Sequence, residues 1–504
     1  MPQIVVNTDV AINILAVLPA ILLTILGVAV GLLDIFWSAS RRREIGMITA
    51  VSLFGIALVA LVIPPPAAEA QLVLGGMFRF DTLSQLFTVV TLVAAAITCL
   101  ISLDSNQIGG MGEFYAILVV ATLGAVLLVG SADLIMAFLA VETLSISLYI
   151  LAGFMTREAR SSEAGIKYFL FGAFTSAVML YGFSLLYGFT GHTNLYAIGE
   201  WMRTTFQGTV EAGTILPILL AMVLIVVGFG FKISAVPFHF WTPDVYEGAP
   251  TPVTAYISVA SKAASFAVLL RMFIIAFQGD DPTRFWVQVF AILAVVTMTF
   301  GNLMALVQSN IKRLIAYSSI AQAGYALIGV AAIAAQEGSA PGSGAAAVSF
   351  YMAMYVLTNL AAFGVIILFA NGGGSEKIAD FAGLARRNLG LALVMTVALL
   401  SLAGVPPAAG FFGKFFLFRA AVDANLTWLA VVGILNAMVA LYYYLIIIKV
   451  IFVDRSPDED KPIPVSAPYV WALSMTTVGV LLLGTVMATP LFEWAFRAAQ
   501  GLFS

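Results

Sequence analysis

Long, uninterrupted runs of apolar residues recur from one end of this 504-residue chain to the other. A helix of about 20 apolar residues crosses the roughly 30 Å hydrocarbon core of a membrane. Only 10% of the residues are charged and 62% are hydrophobic, whereas a soluble globular protein has about 25% charged residues. Strands of a membrane β-barrel would show alternation instead of continuous runs. The pattern predicts an all-α polytopic membrane protein.

Polar breaks divide the apolar runs into about fourteen predicted transmembrane helices, and we predict no strand. The helices span 11–33, 45–63, 82–103, 114–129, 132–154, 165–190, 213–240, 252–277, 284–307, 312–335, 345–370, 389–420, 426–453 and 468–489. The longer loops are 64–80, 191–212, 371–388 and 454–467. Because no segment resembles a soluble domain, we treat residues 1–504 as a single membrane domain.

The basic residues of the loops predict an orientation. If Arg41 and its two neighbours are cytoplasmic, alternation places thirteen basic residues on that side: Arg41, Arg42, Arg43, Arg157, Arg160, Lys312, Arg313, Lys377, Arg386, Arg387, Lys449, Arg455 and Lys461. The other side receives five: Arg79, Arg203, Arg284, Arg419 and Arg497. Cytoplasmic loops carry an excess of Lys and Arg. The count therefore predicts that both termini lie outside, and it reads Lys312 and Arg313 as cytoplasmic anchors.

Several charged residues remain inside or close to the predicted helices. They are Lys167, Lys232, Lys262, Arg271, Lys414, Glu142 and Asp133. A lysine at the membrane centre costs at least about 2.5–3.5 kcal/mol on insertion scales. A lysine kept away from water releases its proton more readily than one in water, and a neighbouring carboxylate reverses this effect. We therefore interpret Lys232, Lys262, Lys414 and Glu142 as parts of a buried proton path.

Other polar residues allow more than one interpretation. Lys167 and Arg271 could be path residues, or they could form ion pairs or extend towards the membrane surface. Asp133 fits the start of a helix. His239 could relay protons towards Lys262 or could form a hydrogen bond at a helix break. His192 is predicted to lie in a loop, and Asp244 and Glu247 in a structural turn. One cysteine and two histidines offer little material for a metal site, and we predict none.

Two of the predicted helices are interrupted by glycine and proline, each beside a buried lysine. The seventh contains GFGFKISAVP and the twelfth contains AGVPPAAGFFGK. Proline removes a backbone hydrogen bond and breaks or kinks a helix. Broken helices at matching positions indicate an inverted repeat, and an offset of five helices inverts the topology. We therefore predict three N-terminal helices (1–110), a first five-helix repeat (111–280, helices 4–8), a second repeat (281–455, helices 9–13) and a C-terminal segment with helix 14 (456–504).

Four stretches resemble the antiporter-like membrane subunits of bacterial respiratory complex I, the proton-pumping NADH:quinone oxidoreductase. They are SSEAGIKYFLFGAFTSAVMLYG (162–182), FKISAVPFHFWTPDVYEGAPTPVTAYISVASKAASFAVL (231–269), NIKRLIAYSSIAQAGY (310–325) and GVPPAAGFFGKF (404–415). The resemblance covers nearly the whole chain. It implies that Glu142 is the glutamate of helix five and that Lys232 is its partner on helix seven. It also implies that Lys262 is the central lysine of helix eight, and that Lys414 of helix twelve exchanges protons with the outside.

Departures from the larger members place the chain near subunit N, the counterpart of mitochondrial NADH dehydrogenase subunit 2. The eleventh helix, YMAMYVLTNLAAFGVII, lacks the histidine and lysine of those members. Lys414 stands where one of them has glutamate, and no long lateral helix is expected after residue 490.

The resemblance also implies how the chain works with others. It implies a bacterial plasma (inner) membrane location, lipids and other membrane-arm subunits as partners, including antiporter-like paralogues and small membrane subunits, and no nucleic acid. The chain itself would bind no cofactor and perform no redox chemistry, while the complex uses NADH, FMN, iron–sulfur clusters and quinone. The alternatives are a stand-alone or multisubunit Na⁺(K⁺)/H⁺ antiporter subunit and a purely structural scaffold.

Overall fold

Apolar helices make up most of the computed structural model, which describes residues 6–38, 41–206, 212–333, 342–457 and 461–503. Within these ranges twelve helices are long and apolar enough to cross a membrane, and one bent pair raises the number to thirteen. The prediction of an all-α polytopic membrane protein is confirmed. The predicted twelfth helix (389–420) corresponds to two shorter helices in 389–423. Residues 334–335 of the tenth predicted helix, and parts of two predicted loops (207–211 and 458–460), lie outside the described ranges.

The first half of the chain contains eleven α-helices. They are α1 (Val10–Phe36), α2 (Arg42–Val62), α3 (Thr82–Ser102), α4 (Gly112–Val129), α5 (Leu134–Ala152), α6 (Ala159–Thr190), α7 (Leu195–Thr205), α8 (Ala212–Ile233), α9 (Trp241–Gly248), α10 (Thr251–Tyr256) and α11 (Lys262–Ile275). A single π-helical segment, Ile257–Ser261, joins α10 to α11, so that the three form one span.

The second half of the chain continues the bundle. Its helices are α12 (Asp280–Leu306), α13 (Ile311–Ala331), α14 (Ser343–Asn371), α15 (Leu384–Arg387), α16 (Leu389–Ala403), α17 (Ala409–Asp423), α18 (Thr427–Phe452), α19 (Ala467–Leu483) and α20 (Ala488–Gln500). Short 3₁₀ turns occupy Ala68–Ala70, Leu74–Gly76 and Ile378–Phe381.

Three local features differ from the sequence prediction. Two short antiparallel strands, β1 (Leu72–Val73) and β2 (Phe78–Arg79), lie in the loop 64–80, where we predicted no strand. The loop predicted at 191–212 contains α7, whose 11 residues are too few to give a membrane-spanning signal. The last predicted helix is two helices, α19 and α20, that meet at 83°. Each of these segments is shorter than the apolar runs on which the prediction relied.

Both glycine- and proline-interrupted helices are broken. Helix α8 ends at Ile233, Ser234 takes a positive φ of 64°, and α-helix resumes only at Trp241. Helix α16 ends at Ala403, Gly404 takes a positive φ of 88°, and α17 begins at Ala409. The predicted discontinuity of the seventh and twelfth helices is therefore confirmed.

Three spans form the centre of the bundle. In the α10–α11 and α14 spans 94% of the residues in the most apolar stretch are buried, and in the α13 span all of them are buried. By contrast, 28% of α1 and 33% of α18 are buried, so these helices lie at the periphery. Polar side chains on the three central helices are therefore shielded from lipid.

Candidate functional site

Lys232 lies in the last turn of α8, immediately before the helix break. Its side chain is buried, and its Nζ donates hydrogen bonds to Ser145 Oγ at 2.5 Å and to the Tyr149 hydroxyl at 3.4 Å. The amine also lies 5.4 Å from the centre of the Tyr149 ring. Both partners belong to α5 and are four residues apart, which places them on one face of that helix. The face of α5 therefore solvates the ammonium with hydroxyls and an aromatic ring.

Glu142 occupies the same helix, three residues before Ser145, and is half-buried. Its Oε1 atom is shielded from solvent and has no hydrogen-bond partner among the described residues. The direct contact with Lys232 that the resemblance implied is absent from the described ion pairs, because Ser145 and Tyr149 take that position. An unpaired carboxylate in the membrane layer is costly. The charge of Glu142 nevertheless acts on Lys232 from beyond salt-bridge distance.

Lys262 is the first residue of α11 and directly follows the π-helical segment. Its buried Nζ donates to the Ser319 backbone carbonyl at 2.8 Å and also to Ser319 Oγ. Ser319 Oγ further accepts from the Tyr355 hydroxyl at 2.8 Å and lies 3.2 Å from the Tyr246 hydroxyl. Single π-helical turns often occur at functional sites. Here the turn places Lys262 at the centre of a cluster of hydroxyls.

Hydrogen bonds from α14 connect this cluster to the π-helical segment. Asn359 Nδ2 donates to the Tyr355 hydroxyl at 3.0 Å and to Ser258 Oγ at 2.9 Å. Tyr355 and Asn359 are four residues apart on a helix that contains no charged residue. We did not predict them, although two hydrogen-bonding side chains at helical spacing in an apolar helix are a usable signal.

Lys414 lies in α17, just after the second helix break. Its buried Nζ donates to the Leu402 carbonyl at 2.9 Å and the Ala403 carbonyl at 3.0 Å. These carbonyls belong to the last turn of α16, whose carbonyls lack partners within their own helix. The amine also lies 4.5 Å from the centre of the Tyr325 ring. The break therefore supplies the acceptors that hold this lysine.

Lys232, Lys262 and Lys414 share one property. Their hydrogen-bond partners are hydroxyls and backbone carbonyls, and none of the three takes part in a described salt bridge. The described lysine salt bridges involve Lys167, Lys312 and Lys449. The charge of Glu142 still acts on Lys232, whereas no charged group among the described residues acts on Lys262 or Lys414. A buried ammonium without a counter-ion can become neutral at low cost.

Arg271 and Lys167 are ion-paired, which resolves the two interpretations of these residues. The guanidinium of Arg271 makes two hydrogen bonds to the Asp81 carboxylate, at 2.7 and 2.8 Å. Lys167 is partly exposed and contacts Asp244 at 2.6 Å and Glu163 at 2.7 Å. Each of these cations has a fixed anionic partner, so neither resembles the three buried lysines.

His239 lies within the first break and is buried. Its Nδ1 has no hydrogen-bond partner among the described residues, and its ring contacts those of Phe240 and Phe300 at centroid distances of 4.6 Å. The side chain also interacts with the backbone of Pro237, which agrees with the predicted hydrogen bond at the helix break. His192 is exposed in a loop, and Asp133 caps α5 through the Ile135 amide at 2.8 Å, as predicted.

Lys312, which we predicted as a cytoplasmic anchor, is buried within the protein. Its Nζ donates to the carbonyls of Glu247 and Ala249, at 2.8 and 2.9 Å, and pairs with Glu376 at 3.2 Å. Lys312 thus fixes the end of α9 against the start of α13.

A cavity of about 200 Å³ lies beside this contact. Its charged lining is formed by Arg160, Glu163, Lys167, Asp244, Glu247 and Arg313. Burial alone would raise the pKa of Asp244, but hydrogen bonds from Lys167 and Arg313 outweigh burial and hold that pKa below its usual value. Arg313 also pairs with Glu247 at 2.8 Å. The turn that contains Asp244 and Glu247 is therefore held by ion pairs, in agreement with its structural interpretation.

Comparisons with known proteins place this arrangement in a family. Residues 131–440 match the family described as NADH:quinone oxidoreductase/Mrp antiporter, TM. The NADH-quinone oxidoreductase subunit N of Moorella thermoacetica is 43% identical over 485 residues, which cover 96% of this chain and 98% of that protein. The NAD(P)H-quinone oxidoreductase subunit 2 of a Synechococcus strain is 40% identical and covers 97% of this chain and 92% of that protein.

Solved structures agree with the sequence comparison. A chain of respiratory complex I from Thermus thermophilus is 32% identical and matches with a TM-score of 0.75, over 94% of this chain and 98% of that one. A chain of the Mrp complex from Dietzia sp. is 20% identical, with a TM-score of 0.81 over 98% of each chain, and shows a shared fold. With its three buried lysines and two broken helices, this chain belongs to the NADH:quinone oxidoreductase/Mrp antiporter transmembrane family.

Proposed function

We propose that the chain is a proton-translocating membrane subunit of an NADH:quinone oxidoreductase. The observation that carries this proposal is that Lys232, Lys262 and Lys414 are buried and bonded to neutral groups. The relatives named as subunit N and the chain of respiratory complex I support the assignment to such a complex. Three buried lysines without a salt bridge do not serve stability, because placing a charged side chain inside the membrane costs free energy that an apolar residue would not cost.

In the proposed path, protons move through Glu142, Lys232, Lys262 and Lys414. Each lysine takes up a proton as its amine becomes an ammonium and releases it again to the next group. Lys414 is proposed to exchange protons with the outside, as the family resemblance implies. His239 is proposed as a relay towards Lys262, because it lies in the helix break and its Nδ1 has no hydrogen-bond partner among the described residues.

Redox chemistry in other subunits is proposed to drive this movement. Moving one proton against a membrane potential costs about 2.3 kcal/mol per 100 mV. NADH, FMN, iron–sulfur clusters and quinone would belong to the complex, and this chain would carry the proton path only. Its partners would be other membrane-arm subunits, including antiporter-like paralogues and small membrane subunits.

We propose a bacterial plasma (inner) membrane location with both termini on the outer side. The excess of basic residues on the face that contains Arg41 supports this orientation. The two breaks, each next to a buried lysine, support the division into three N-terminal helices (1–110), two inverted repeats (111–280 and 281–455) and a C-terminal segment (456–504).

The test replaces Lys262 with methionine in the assembled complex. Lys262→Met should leave assembly intact and should lower proton pumping and the coupled NADH:quinone activity by about tenfold, which corresponds to about 1.4 kcal/mol in the barrier. Lys449→Met serves as the control, since Lys449 is an exposed lysine paired with Asp454. If this chain were only a scaffold, an assembled complex with either variant would pump protons at the normal rate. That result would refute the proposed path.

A stand-alone or multisubunit Na⁺(K⁺)/H⁺ antiporter is the second candidate, because the fold is shared with the Mrp complex chain. That function predicts proton release driven by a sodium or potassium gradient when the purified chain is placed in liposomes. We expect no such cation-dependent transport by the isolated chain.

A further inference from the structure

The hydrogen bonds around Lys262 and Lys414 form two separate networks. The first ends at Ser319, whose hydroxyl is shared by Lys262 and Tyr355. The adjacent residue, Ser318, belongs to the second network, because its hydroxyl bonds to the Tyr444 hydroxyl of α18. Two neighbouring serines of one buried helix thus point to different sides. Helix α13 is the element that separates the two lysines.

Gln322 is the centre of the second network. It is buried in α13, four residues after Ser318, and therefore lies on the same helix face as that serine. Its Nε2 donates to the Leu402 carbonyl at 3.0 Å and to the Tyr444 hydroxyl at 3.3 Å. Its Oε1 accepts a hydrogen bond from the Tyr351 hydroxyl. The amide uses both its donor and its acceptor sides, so its orientation is set by three different helices.

The Leu402 carbonyl joins Gln322 to Lys414. This carbonyl accepts from Gln322 Nε2 and also from Lys414 Nζ at 2.9 Å. A carbonyl oxygen has two lone pairs and can serve both donors. The position of the Lys414 amine is therefore coupled, through one shared atom, to the orientation of the Gln322 amide.

Helix α14 packs beside both networks and contains no aspartate, glutamate, lysine or histidine. The helix contributes Tyr351 to the Gln322 side and Tyr355 to the Lys262 side, four residues apart. The described side chains of the two networks are therefore neutral hydroxyls and amides, apart from the two amines themselves. Such groups carry a proton only when they are aligned with one another, because each must accept one hydrogen bond while donating another.

We propose that Gln322 is a positioning residue for proton transfer between Lys262 and Lys414, an inference that rests on the proposed function. In this step the Lys262 ammonium releases a proton and becomes a neutral amine, while the neutral Lys414 amine gains a proton and becomes an ammonium. The total charge does not change. The Gln322 amide does not take up the proton; it aligns the Tyr351 and Tyr444 hydroxyls and holds the Leu402 carbonyl.

The first experiment compares two methionine substitutions in the assembled complex, reconstituted in liposomes. Gln322→Met keeps the length of the side chain and removes its hydrogen bonds, and we expect proton pumping to slow by about tenfold. Gln85→Met is the matched control, because Gln85 is also a buried glutamine but donates, among the described residues, to the carbonyls of Ala60, Leu61 and Ile63. Pumping by this control should equal that of the unmodified protein.

A second variant separates positioning from a structural role. The protonated carboxyl group of Gln322→Glu has the shape of the amide and one O–H that can donate to the Leu402 carbonyl, whereas the ionised carboxylate has no hydrogen to donate. We therefore expect near-normal pumping at acid pH and a loss as the pH rises. A purely structural role predicts a pH profile with the unmodified shape. This variant also keeps the test decisive if Gln322→Met does not assemble.

Lys414→Met is measured in parallel to distinguish two kinds of failure. If Lys414→Met stops pumping while both Gln322 variants pump with an unmodified rate and pH profile, the positioning role is refuted and the proton path stands. If Lys414→Met and Lys262→Met also pump normally, the proposed function itself is refuted. Slow pumping by Gln322→Met together with the shifted profile of Gln322→Glu supports the inference.

Discussion

The buried cations of this chain differ in what surrounds their charge. Arg271 makes two hydrogen bonds to Asp81, and Arg79 approaches the same carboxylate at 3.4 Å. A guanidinium stays protonated at any pH that a protein encounters, so it cannot pass a proton on. Lys232 and Lys414 instead contact only neutral groups among the described residues. The chemistry of each residue type thus matches a structural role for the arginines and a transport role for the lysines.

Asp81 provides a test of this distinction. Asp81→Asn should retain the hydrogen bond that caps α3 through the Ser84 amide, but it leaves Arg271 and Arg79 without a counter-ion. Removing one partner of a buried ion pair costs about 3–5 kcal/mol. We expect a clear fall in the thermal unfolding temperature of the purified protein in detergent.

The control for this variant is Glu200→Gln, which removes an exposed ion pair with Arg203 on the same face of the molecule. Exposed pairs contribute little to stability because water screens both charges. An Asp81→Asn protein that unfolds at the same temperature as the Glu200→Gln protein would show that Asp81 does not compensate the arginines.

The positions of the buried lysines could be predicted from the sequence, but their partners could not. A charge inside a long apolar run is visible without a structure, as Lys262 shows. Its partner Ser319 is 57 residues away, and the Ser145 partner of Lys232 is 87 residues away. Such contacts arise from the packing of helices against each other, which the periodicity of one helix does not specify. Gln322 was missed for the same reason.

At the scale of helices, the accuracy of the prediction depended on where apolar runs end. The helix predicted at 82–103 is Thr82–Ser102, because an aspartate and a serine residue form a capping box at its start. The break after Ile233 was predicted from Pro237 and the surrounding glycines. Helix α7 was missed, since an amphipathic helix inside a loop has no long apolar run.

The second break depends on a very close approach of two helices. A Cβ atom on Gly410 of α17 would lie 1.7 Å from the Ser401 carbonyl oxygen of α16. Both groups are backbone or attached to it, so neither can move away alone. We expect Gly410→Ala to destabilise the protein by about 3 kcal/mol, at the upper end of the range for overpacking, and to disturb the carbonyls that hold Lys414. Thermal unfolding in detergent measures the first effect.

Gly55→Ala in α2 is the matched control. A Cβ atom there would meet nothing within 4 Å, and alanine favours a helix over glycine by about 1 kcal/mol. The protein should unfold at an equal or slightly higher temperature. Equal stability of the Gly410→Ala and Gly55→Ala proteins would contradict the close contact between α16 and α17.

For the whole molecule, the arrangement of spans determines which groups share a face. The loop that contains Gln107 follows α3, and α7 follows α6, so three spans (α4, α5 and α6) separate the two positions. An odd number of crossings places them on opposite sides of the membrane. Gln107 lies near Asp104, which pairs with Arg43 of the arginine-rich face. The proposed orientation therefore puts Gln107 in the cytoplasm and Thr204 outside.

Labelling of introduced cysteines tests this arrangement directly. The native Cys99 is buried in α3 and free, so the unmodified protein should not react with a membrane-impermeant maleimide and serves as the control. Gln107 and Thr204 are exposed. We expect Thr204→Cys to react in intact spheroplasts and Gln107→Cys to react only in inverted vesicles. The reason is that the arginine-rich face carries thirteen basic residues and the opposite face five, and the face with more basic residues stays in the cytoplasm. The opposite pattern would reverse the orientation, whereas labelling of both variants from one side would show that the three intervening helices do not each cross the membrane.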